Sequence, residues 1–138
     1  MRFMVIVKAD RTTEAGTPPS EKDLEAMGRF NEELIKAGAL VDAAGLQPSS
    51  KGARIARRNG KLQVTDGPFA ETKELIAGYW IIDVKSRAEA IDWCMRVPFD
   101  HLPHDGREPE LELRPLYAVS DFPDAPSFVV DQEKSLKK

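Results

Sequence analysis

The charged residues around a Gly-Pro-Phe turn have the types and spacing to bind a polar ligand. Asp66 precedes this turn, and Glu71, Lys73 and Glu74 follow it. A carboxylate whose pKa is raised by burial can act as a general base, and a lysine can neutralise an anionic substrate or intermediate. We predict a ligand site at these four residues, with Phe69 anchoring the loop so that the charges face inward. The alternative is a rigid turn with solvated charges, because Asp-Gly-Pro is favourable turn chemistry.

Both histidines of the chain, His101 and His104, lie beside aspartates in the segment 100–105. Imidazole and carboxylate groups can bind Zn²⁺ or another divalent metal. A His-x-x-His pair is a weak metal signal away from a helix, however, and Pro103 disfavours a helix here. We therefore predict an exposed loop with pH-sensitive charge and no metal, with His101 and His104 as the weak alternative ligands.

Other reactive or basic residues have simpler interpretations. Cys94 is expected to be a buried helix thiol, since the sequence shows no cationic surroundings that would lower its pKa. Arg54, Arg57 and Arg58 form a short basic stretch, which is typical of a solvated strand edge. The chain has no glycine-rich nucleotide loop of the P-loop or Rossmann type, so we expect no cofactor.

Composition restricts the class of protein. The chain has 138 residues, 41% apolar and 31% charged, which is typical of one globular domain. The net charge of −3 argues against a nucleic-acid partner. One cysteine excludes an internal disulfide, and no apolar run approaches the roughly 20 residues of a membrane helix. The N-terminal apolar run is too short for a signal peptide. We predict a cytoplasmic protein with a domain at 1–122 and a polar tail at 123–138.

The first helix is predicted from its ends and its apolar spacing. Ser20 has the features of an N-cap, Asp23 occupies the capping-box position, and Gly38 is a favourable stop. Apolar residues recur between them at steps of three and four, which predicts one buried face. This predicted stripe comprises Leu24, Met27, Phe30, Leu34 and Ala37.

The second helix is predicted between a capping box, Ser86 and Glu89, and Pro98, which ends it near Val97. Its predicted buried stripe comprises Ala88, Ile91 and Met95.

Strands fill most of the remaining chain. Apolar runs predict strands at 3–7, 39–46, 77–84 and 111–116. Asn59-Gly60 lies between two short runs, 54–58 and 61–65, and is the strongest short hairpin signal. The segment 10–19 contains glycine and two prolines and is predicted to be a loop.

This order of elements predicts an α+β, ferredoxin-like fold. The economical arrangement is one mostly antiparallel sheet with both helices on one face and an added β-hairpin. The other face must be solvated or covered by a partner. Tyr79 and Trp80 are neighbours on one strand, so each of its faces carries an aromatic ring. We predict a homodimer whose two sheets pack face to face.

Four segments of the chain carry a resemblance to a known family. The run from Val64 to Glu74 resembles the signature of the DGPF group of YCII-related proteins. The segments 44–48, 78–83 and 112–116 extend the resemblance over the chain to about Phe122. The resemblance implies a dimeric α+β barrel, in a superfamily that includes small monooxygenases, lactone isomerases and dehydrochlorinases.

The resemblance also bears on mechanism. Some YCII-related members use a His-Asp pair with the histidine on the first helix. Met27 lies near that position here, and the predicted first helix has no histidine, so this activity is not carried over. Some DGPF proteins are linked with sigma-factor regulation.

Three functions therefore remain open. The preferred one is a homodimer with a small-molecule site near the Asp-Gly-Pro-Phe loop, potentially a cofactor-independent enzyme acting on a small polar ligand. The second is a non-catalytic binding or regulatory module, linked to sigma-factor-dependent transcription. The third is a structural dimer. A ligand-sized pocket beside Asp66, Glu71 and Lys73 would argue against the third.

Overall fold

The computed structural model describes residues 1–136, except for the side chain of Lys73. Six strands and four helices follow one another along the chain. In order they are β1 (Arg2–Lys8), α1 (Arg11–Glu14), α2 (Glu21–Lys36), β2 (Leu40–Gly45), β3 (Ala53–Arg58), β4 (Lys61–Asp66), β5 (Ile76–Asp83), α3 (Arg87–Met95), β6 (Leu111–Pro115) and α4 (Ser127–Leu136). Short 3₁₀ turns occupy 49–51, 72–74, 99–101 and 119–121.

Four strands form the main sheet, in the order β2-β5-β1-β6, and each neighbouring pair is antiparallel. Val5 at the centre of β1 lies opposite Trp80 on one side and Leu113 on the other. The two central strands are thus the first strand and the one that follows the hairpin. This arrangement confirms the predicted ferredoxin-like α+β fold.

The hydrophobic core lies between one face of the sheet and helices α2 and α3. Strand β1 contributes Phe3, Val5 and Val7, and β5 contributes Trp80 and Ile82, all of them buried. The alternation along both strands places these side chains on one face, since successive residues of a strand point to opposite sides.

An aromatic cluster joins the two long helices to the sheet. The ring of Phe30 on α2 meets Trp80 edge-on at 5.4 Å between centroids and Trp93 on α3 at 6.2 Å. Such edge-to-face contacts are favourable beyond the area that they bury. The indole N–H of Trp80 donates a hydrogen bond to Asn31 at 2.7 Å. This cluster fixes the position of α2 over the sheet.

The predicted ends of α2 are confirmed. The Ser20 hydroxyl accepts a hydrogen bond from the Asp23 N–H at 3.1 Å, and the Asp23 carboxylate accepts one from the Ser20 N–H at 3.3 Å. The predicted stripe is confirmed only in its centre. Phe30 and Leu34 are buried, whereas Leu24 is 60% exposed.

Helix α3 has its capping serine where predicted, but the predicted buried face was wrong. The structure buries Ala90 and Trp93, while Met95 is 77% exposed. Apolar residues occur all around this nine-residue helix, so its local period does not select one face. Packing against the sheet determines instead which residues of α3 are buried.

Two short helices, α1 and α4, were not predicted from the sequence. In the predicted loop 10–19, Asp10 and Thr13 cap each other's backbone N–H groups at 2.8 and 2.9 Å and thereby begin α1. In the predicted polar tail, Pro126 directly precedes α4, and its carbonyl accepts a hydrogen bond from the Val130 N–H in the first turn. The Val119 N–H donates to the Glu133 carboxylate at 2.6 Å and holds α4 against the preceding turn. Lys137 and Lys138 of the predicted tail lie outside the described residues.

Strands β3 and β4 form a separate two-stranded hairpin, residues 53–66, which we call the arm. Its turn has φ of 52° at Asn59 and 77° at Gly60, as the Asn-Gly signal predicted. None of the arm's residues, all of which the structure describes, is buried. The arm is therefore held by its own ladder and by contacts at its base.

The second face of the main sheet lies on the side opposite helices α2 and α3. Met4, Ile6, Tyr79 and Ile81 lie on this face and are half-buried by their neighbours in the sheet. We call it the open face. Within residues 1–136, none of the helices combines the length and the apolar composition needed to cross a membrane.

Candidate functional site

The Asp-Gly-Pro-Phe turn follows β4 and packs directly against the backbone of another segment. Asp66 is the last residue of β4, and the Gly67–Pro68 peptide bond is cis. The Gly67 N–H donates a hydrogen bond to the carbonyl of Gly52 at 3.0 Å. A Cβ atom at position 67 would overlap the carbonyl group of Ser49. Glycine is thus required here by the close approach of two backbones.

Ser49 joins this turn to the first short helix. The Phe69 N–H donates to the Ser49 hydroxyl at 3.0 Å. That hydroxyl donates in turn to the Glu14 carboxylate, which also accepts from the Ser49 N–H at 2.9 Å. We call Glu14, Ser49 and the turn 67–69 the clasp. Two segments that carry the family resemblance, 44–48 and 64–74, meet beside it.

Phe69 is held from one side by the arm. The guanidinium of Arg54 lies 3.8 Å from the centre of its ring, a cation–π contact, and Phe69 is half-buried. The clasp and this contact together set the direction in which the chain leaves toward Glu71.

The chain after the clasp lines one side of an open cleft of about 590 Å³. Helix α1 and the loop before β6 form the other walls. The lining residues are Arg11, Ala70, Glu71, Thr72, Asp105, Gly106 and Arg107. A cleft of this volume is of the size that small ligands occupy.

Asp105 fastens the loop before β6 to α1. Its carboxylate accepts a hydrogen bond from the Arg11 N–H at 2.8 Å and one from the Arg107 guanidinium at 3.4 Å. The backbone bond from Arg11, followed by the contact with Arg107, holds the pKa of Asp105 below its ordinary value. Asp105 is therefore ionised at neutral pH, and it holds the loop before β6 in place as one wall of the cleft.

Two charged groups in the cleft have no such partner. Among the side chains that the structure describes, neither the Arg11 guanidinium nor the Glu71 carboxylate has an ion pair or a side-chain hydrogen bond. Both residues line the cleft, where a ligand could contact them. Together they offer an anion-binding group and a hydrogen-bond acceptor.

The four predicted site residues do not all reach this cleft. Glu71 lines it, whereas Asp66 and Glu74, both exposed, do not appear among its lining residues. The side chain of Lys73 lies outside the described residues. All three described carboxylates are exposed in the single chain, rather than facing inward under Phe69 as predicted.

Arg11 and Arg107 were missed as site residues. Arg11 lies in the segment 10–19 predicted to be a loop, Arg107 follows the predicted loop 100–105, and each is far from residues 66–74 in sequence. In the sequence, Asp105 is distinguished only by its position next to His104. No local pattern connects these residues, because they meet through the packing of α1 against the loop before β6.

The structure also forms a His–Asp pair elsewhere. Nδ1 of His101 lies 3.0 Å from the Asp23 carboxylate, and the hydrogen bond with His101, then that with Ser20, lowers the pKa of Asp23. Here the aspartate lies on the first long helix and the histidine follows α3. This is the reverse of the pattern that the resemblance implied, and 78 residues separate the two.

The predicted weak metal ligands are used in other ways. His101 pairs with Asp23, and Nδ1 of His104 donates to the carbonyl of Leu102 at 3.0 Å. Within the described part of the chain, no three His, Cys, Asp or Glu side chains are grouped as metal ligands. Cys94 is half-buried, and that burial raises the pKa of its thiol, which disfavours a thiolate nucleophile.

Comparison with known proteins identifies the family. The family model of the YCII-related domain matches residues 1–102. This chain belongs to the YCII-related family. The matched region of the YCII-related domain contains the arm, the clasp and Glu71, and ends before Asp105 and β6. The resemblance stated from the sequence is thereby confirmed.

A curated relative is an uncharacterised protein of Rhizobium meliloti (strain 1021). It is 40% identical over 73 residues, which cover 53% of this chain and 56% of the relative. The chain thus spans little more than half the length of that relative.

Proposed function

We propose that this YCII-related protein is a homodimer that binds a small polar ligand in the cleft between Glu71 and Arg107. The observation that carries the proposal is the cleft of about 590 Å³, where Arg11 and Glu71 have no ion pair or side-chain hydrogen bond with any side chain that the structure describes. A ligand that carries both an anionic group and a hydrogen-bond donor fits this pair of charges. Small hydroxy acids and amino acids have that chemistry.

The binding chemistry follows from the charges. Arg11 can form a bidentate, charge-assisted hydrogen bond with a carboxylate, and such bonds are about twice as strong as neutral ones. Glu71 can accept from a hydroxyl or ammonium group of the same molecule. Arg107 adds positive potential on the same side as Arg11, although Asp105 offsets part of it. The ligand class is therefore defined by complementary charge rather than by a large apolar surface.

The same site could support proton-transfer chemistry without a cofactor. A ligand that covers Glu71 would displace water from its carboxylate, and desolvation favours the protonated form of a carboxylate. Glu71 would then be suited to accept a proton from the bound molecule. This enzymatic step is an extension of the binding proposal and needs its own assay.

The dimer is supported by the open face of the sheet. Met4, Ile6, Tyr79 and Ile81 together form an apolar surface that neither α2 nor α3 covers. An apolar face of this kind on a sheet usually packs against another protein surface. A second copy that presents the same face would cover it symmetrically.

A thermal-shift screen tests the ligand site. The purified protein is heated with small carboxylates, hydroxy acids, amino acids, phenols, lactones and divalent metals. The screen is repeated on Glu71→Gln and Arg11→Met. Asp66→Asn is the matched control, because it makes a similar change in the same signature segment outside the cleft. A compound at about 100 times its Kd should add about 2.7 kcal/mol to the free energy of unfolding.

The proposal expects a stabilising compound whose effect is lost in Glu71→Gln and Arg11→Met and retained in Asp66→Asn. Equal loss in the control would place the ligand elsewhere in the signature segment. A compound that stabilises all three variants as it does the wild type would contradict the cleft as the site.

A further inference from the structure

The arm has two chemically different faces. Ile55 lies opposite Val64 and Arg57 opposite Leu62 in the antiparallel ladder. Opposite residues share a face, and faces alternate along each strand. One face, which we call the apolar face, therefore comprises Ala53, Ile55, Arg57, Leu62, Val64 and Asp66. The other, the basic face, comprises Arg54, Ala56, Arg58, Lys61, Gln63 and Thr65.

The apolar face is largely bare in the single chain. Ile55 is 66% exposed, Leu62 is 72% exposed and Val64 is 69% exposed. On the basic face, Arg54 lies over Phe69 and Ala56 is half-buried. The base of the arm thus turns its basic face toward the rest of the chain, whereas Arg58 and Lys61 at the tip of the arm are exposed.

A hairpin of this kind needs further packing. A single two-stranded hairpin is at best marginally stable in water, and it usually needs a third strand or a packed face. In the single chain the three aliphatic side chains of the apolar face, Ile55, Leu62 and Val64, are 66–72% exposed. The clasp holds only the base of the arm, through Gly67, Ser49 and Phe69. A surface that packs on the apolar face from outside the chain would bury these side chains.

Charge indicates what that occupant is. The arm carries four basic residues and one acidic residue, out of totals of 20 and 23 for the chain. The rest of the chain therefore has 16 basic and 22 acidic residues, and it is acidic overall. We call the chain outside the arm the body. The exposed Arg57, Arg58 and Lys61 of the arm are attracted to an acidic body, and in a symmetric pair each copy would offer the other both an arm and a body.

We propose that the apolar face of the arm docks on a second copy of this chain. This proposal rests on the homodimer proposed above and extends it, because it adds an interface beyond the open face of the sheet. In a two-fold pair the contact occurs twice. The arm leads through the clasp into the loop that carries Glu71, so the docked arm also orders one wall of the cleft.

Sedimentation velocity over a concentration series tests the proposal. The test variant is Ile55→Thr with Val64→Thr, which removes one apolar cross-strand pair but keeps β-branched side chains. The matched control is Ala56→Thr with Gln63→Thr, the neighbouring cross-strand pair on the basic face. Losing two buried aliphatic contacts per copy should raise the dimer dissociation constant about tenfold or more. The control should stay close to wild type.

Hydrogen exchange of the wild type provides a second measurement that does not depend on how the variants fold. Amides of β3 and β4 should be protected in concentrated protein and lose that protection on dilution. Added salt should weaken the dimer, since the arm and the body attract by charge.

Any of three other results would overturn the proposed contact of the arm. If the wild type is a dimer and the test variant dimerises equally well, the arm is not an interface, although the dimer through the open face stands. If the wild type is a monomer at all concentrations, both the arm contact and the homodimer fail, while the ligand screen still tests the cleft. If duplex DNA, and not a second copy, protects the arm amides, the partner is a nucleic acid and the proposal is overturned.

Discussion

The sheet-and-helix body and the arm differ in where their stability comes from. The body buries Phe30, Trp80 and Trp93 against one another and closes its core within a single chain. The arm has a regular ladder and a favourable turn, yet it buries no side chain. Strand pairing alone therefore forms the arm's shape, while the burial that stabilises the body is absent from it. We expect the two regions to respond differently to mutation.

The largest contrast should come from removing one apolar side chain in each region. Phe30→Ala should lower the free energy of unfolding by about 3–5 kcal/mol, because it leaves a cavity between two indole rings. Leu62→Ala on the exposed arm should change it by less than about 0.5 kcal/mol in dilute protein. Urea denaturation of both variants measures the difference. Equal losses would mean that the arm is part of the core.

A smaller effect should come from the clasp, which joins the two regions. Ser49→Ala removes the hydroxyl that accepts from Phe69 and donates to Glu14, and it should cost about 1–3 kcal/mol. Hydrogen exchange should locate the damage, with faster exchange at Phe69 and along the arm than in β1 and β5.

Ser50→Ala is the control for the clasp. Ser50 is exposed, and its side chain makes no hydrogen bond among the described residues. A loss of stability in Ser50→Ala equal to that in Ser49→Ala would refute a specific role for the clasp hydroxyl.

The sequence predicted most of the body and little of the site. The N-cap at Ser20 and the Asn59-Gly60 turn were predictable because they depend on bonds between neighbouring residues. The buried face of α3 was not predictable, because packing against the sheet determines which of its residues are buried. Of the residues that line the cleft, only Glu71 belongs to the four predicted site residues, because Arg11 joins the cleft through contacts between segments distant in sequence.

The smallest effect should be a pH dependence that belongs to the body alone. The pKa of Asp23 is lowered in the folded protein, so its contribution to stability is present above the unfolded value near 3.8 and is lost as the pH falls through the folded value. Because the pair is about one-third exposed, we expect about 0.5–1 kcal/mol at neutral pH.

Thermal unfolding at a series of pH values checks this expectation. The stability difference between wild type and Asp23→Asn should shrink below about pH 4. Glu21→Gln changes a charge in the same helical turn without touching His101 and should show less of this dependence. If the difference in stability between the wild type and Asp23→Asn stays constant with pH, the contact with His101 is not its cause.

The way in which the arm is fastened also bears on how this family diverges. Because the body's core makes no use of the arm, the strands between Gly52 and Gly67 can change sequence without disturbing the fold. Gly67 has no such freedom, since a Cβ atom there would overlap the carbonyl group of Ser49. If the arm makes the proposed contact between copies, substitutions within residues 53–66 alone would change which chains pair with each other. Two related chains in one cell could then form separate homodimers without a change in fold.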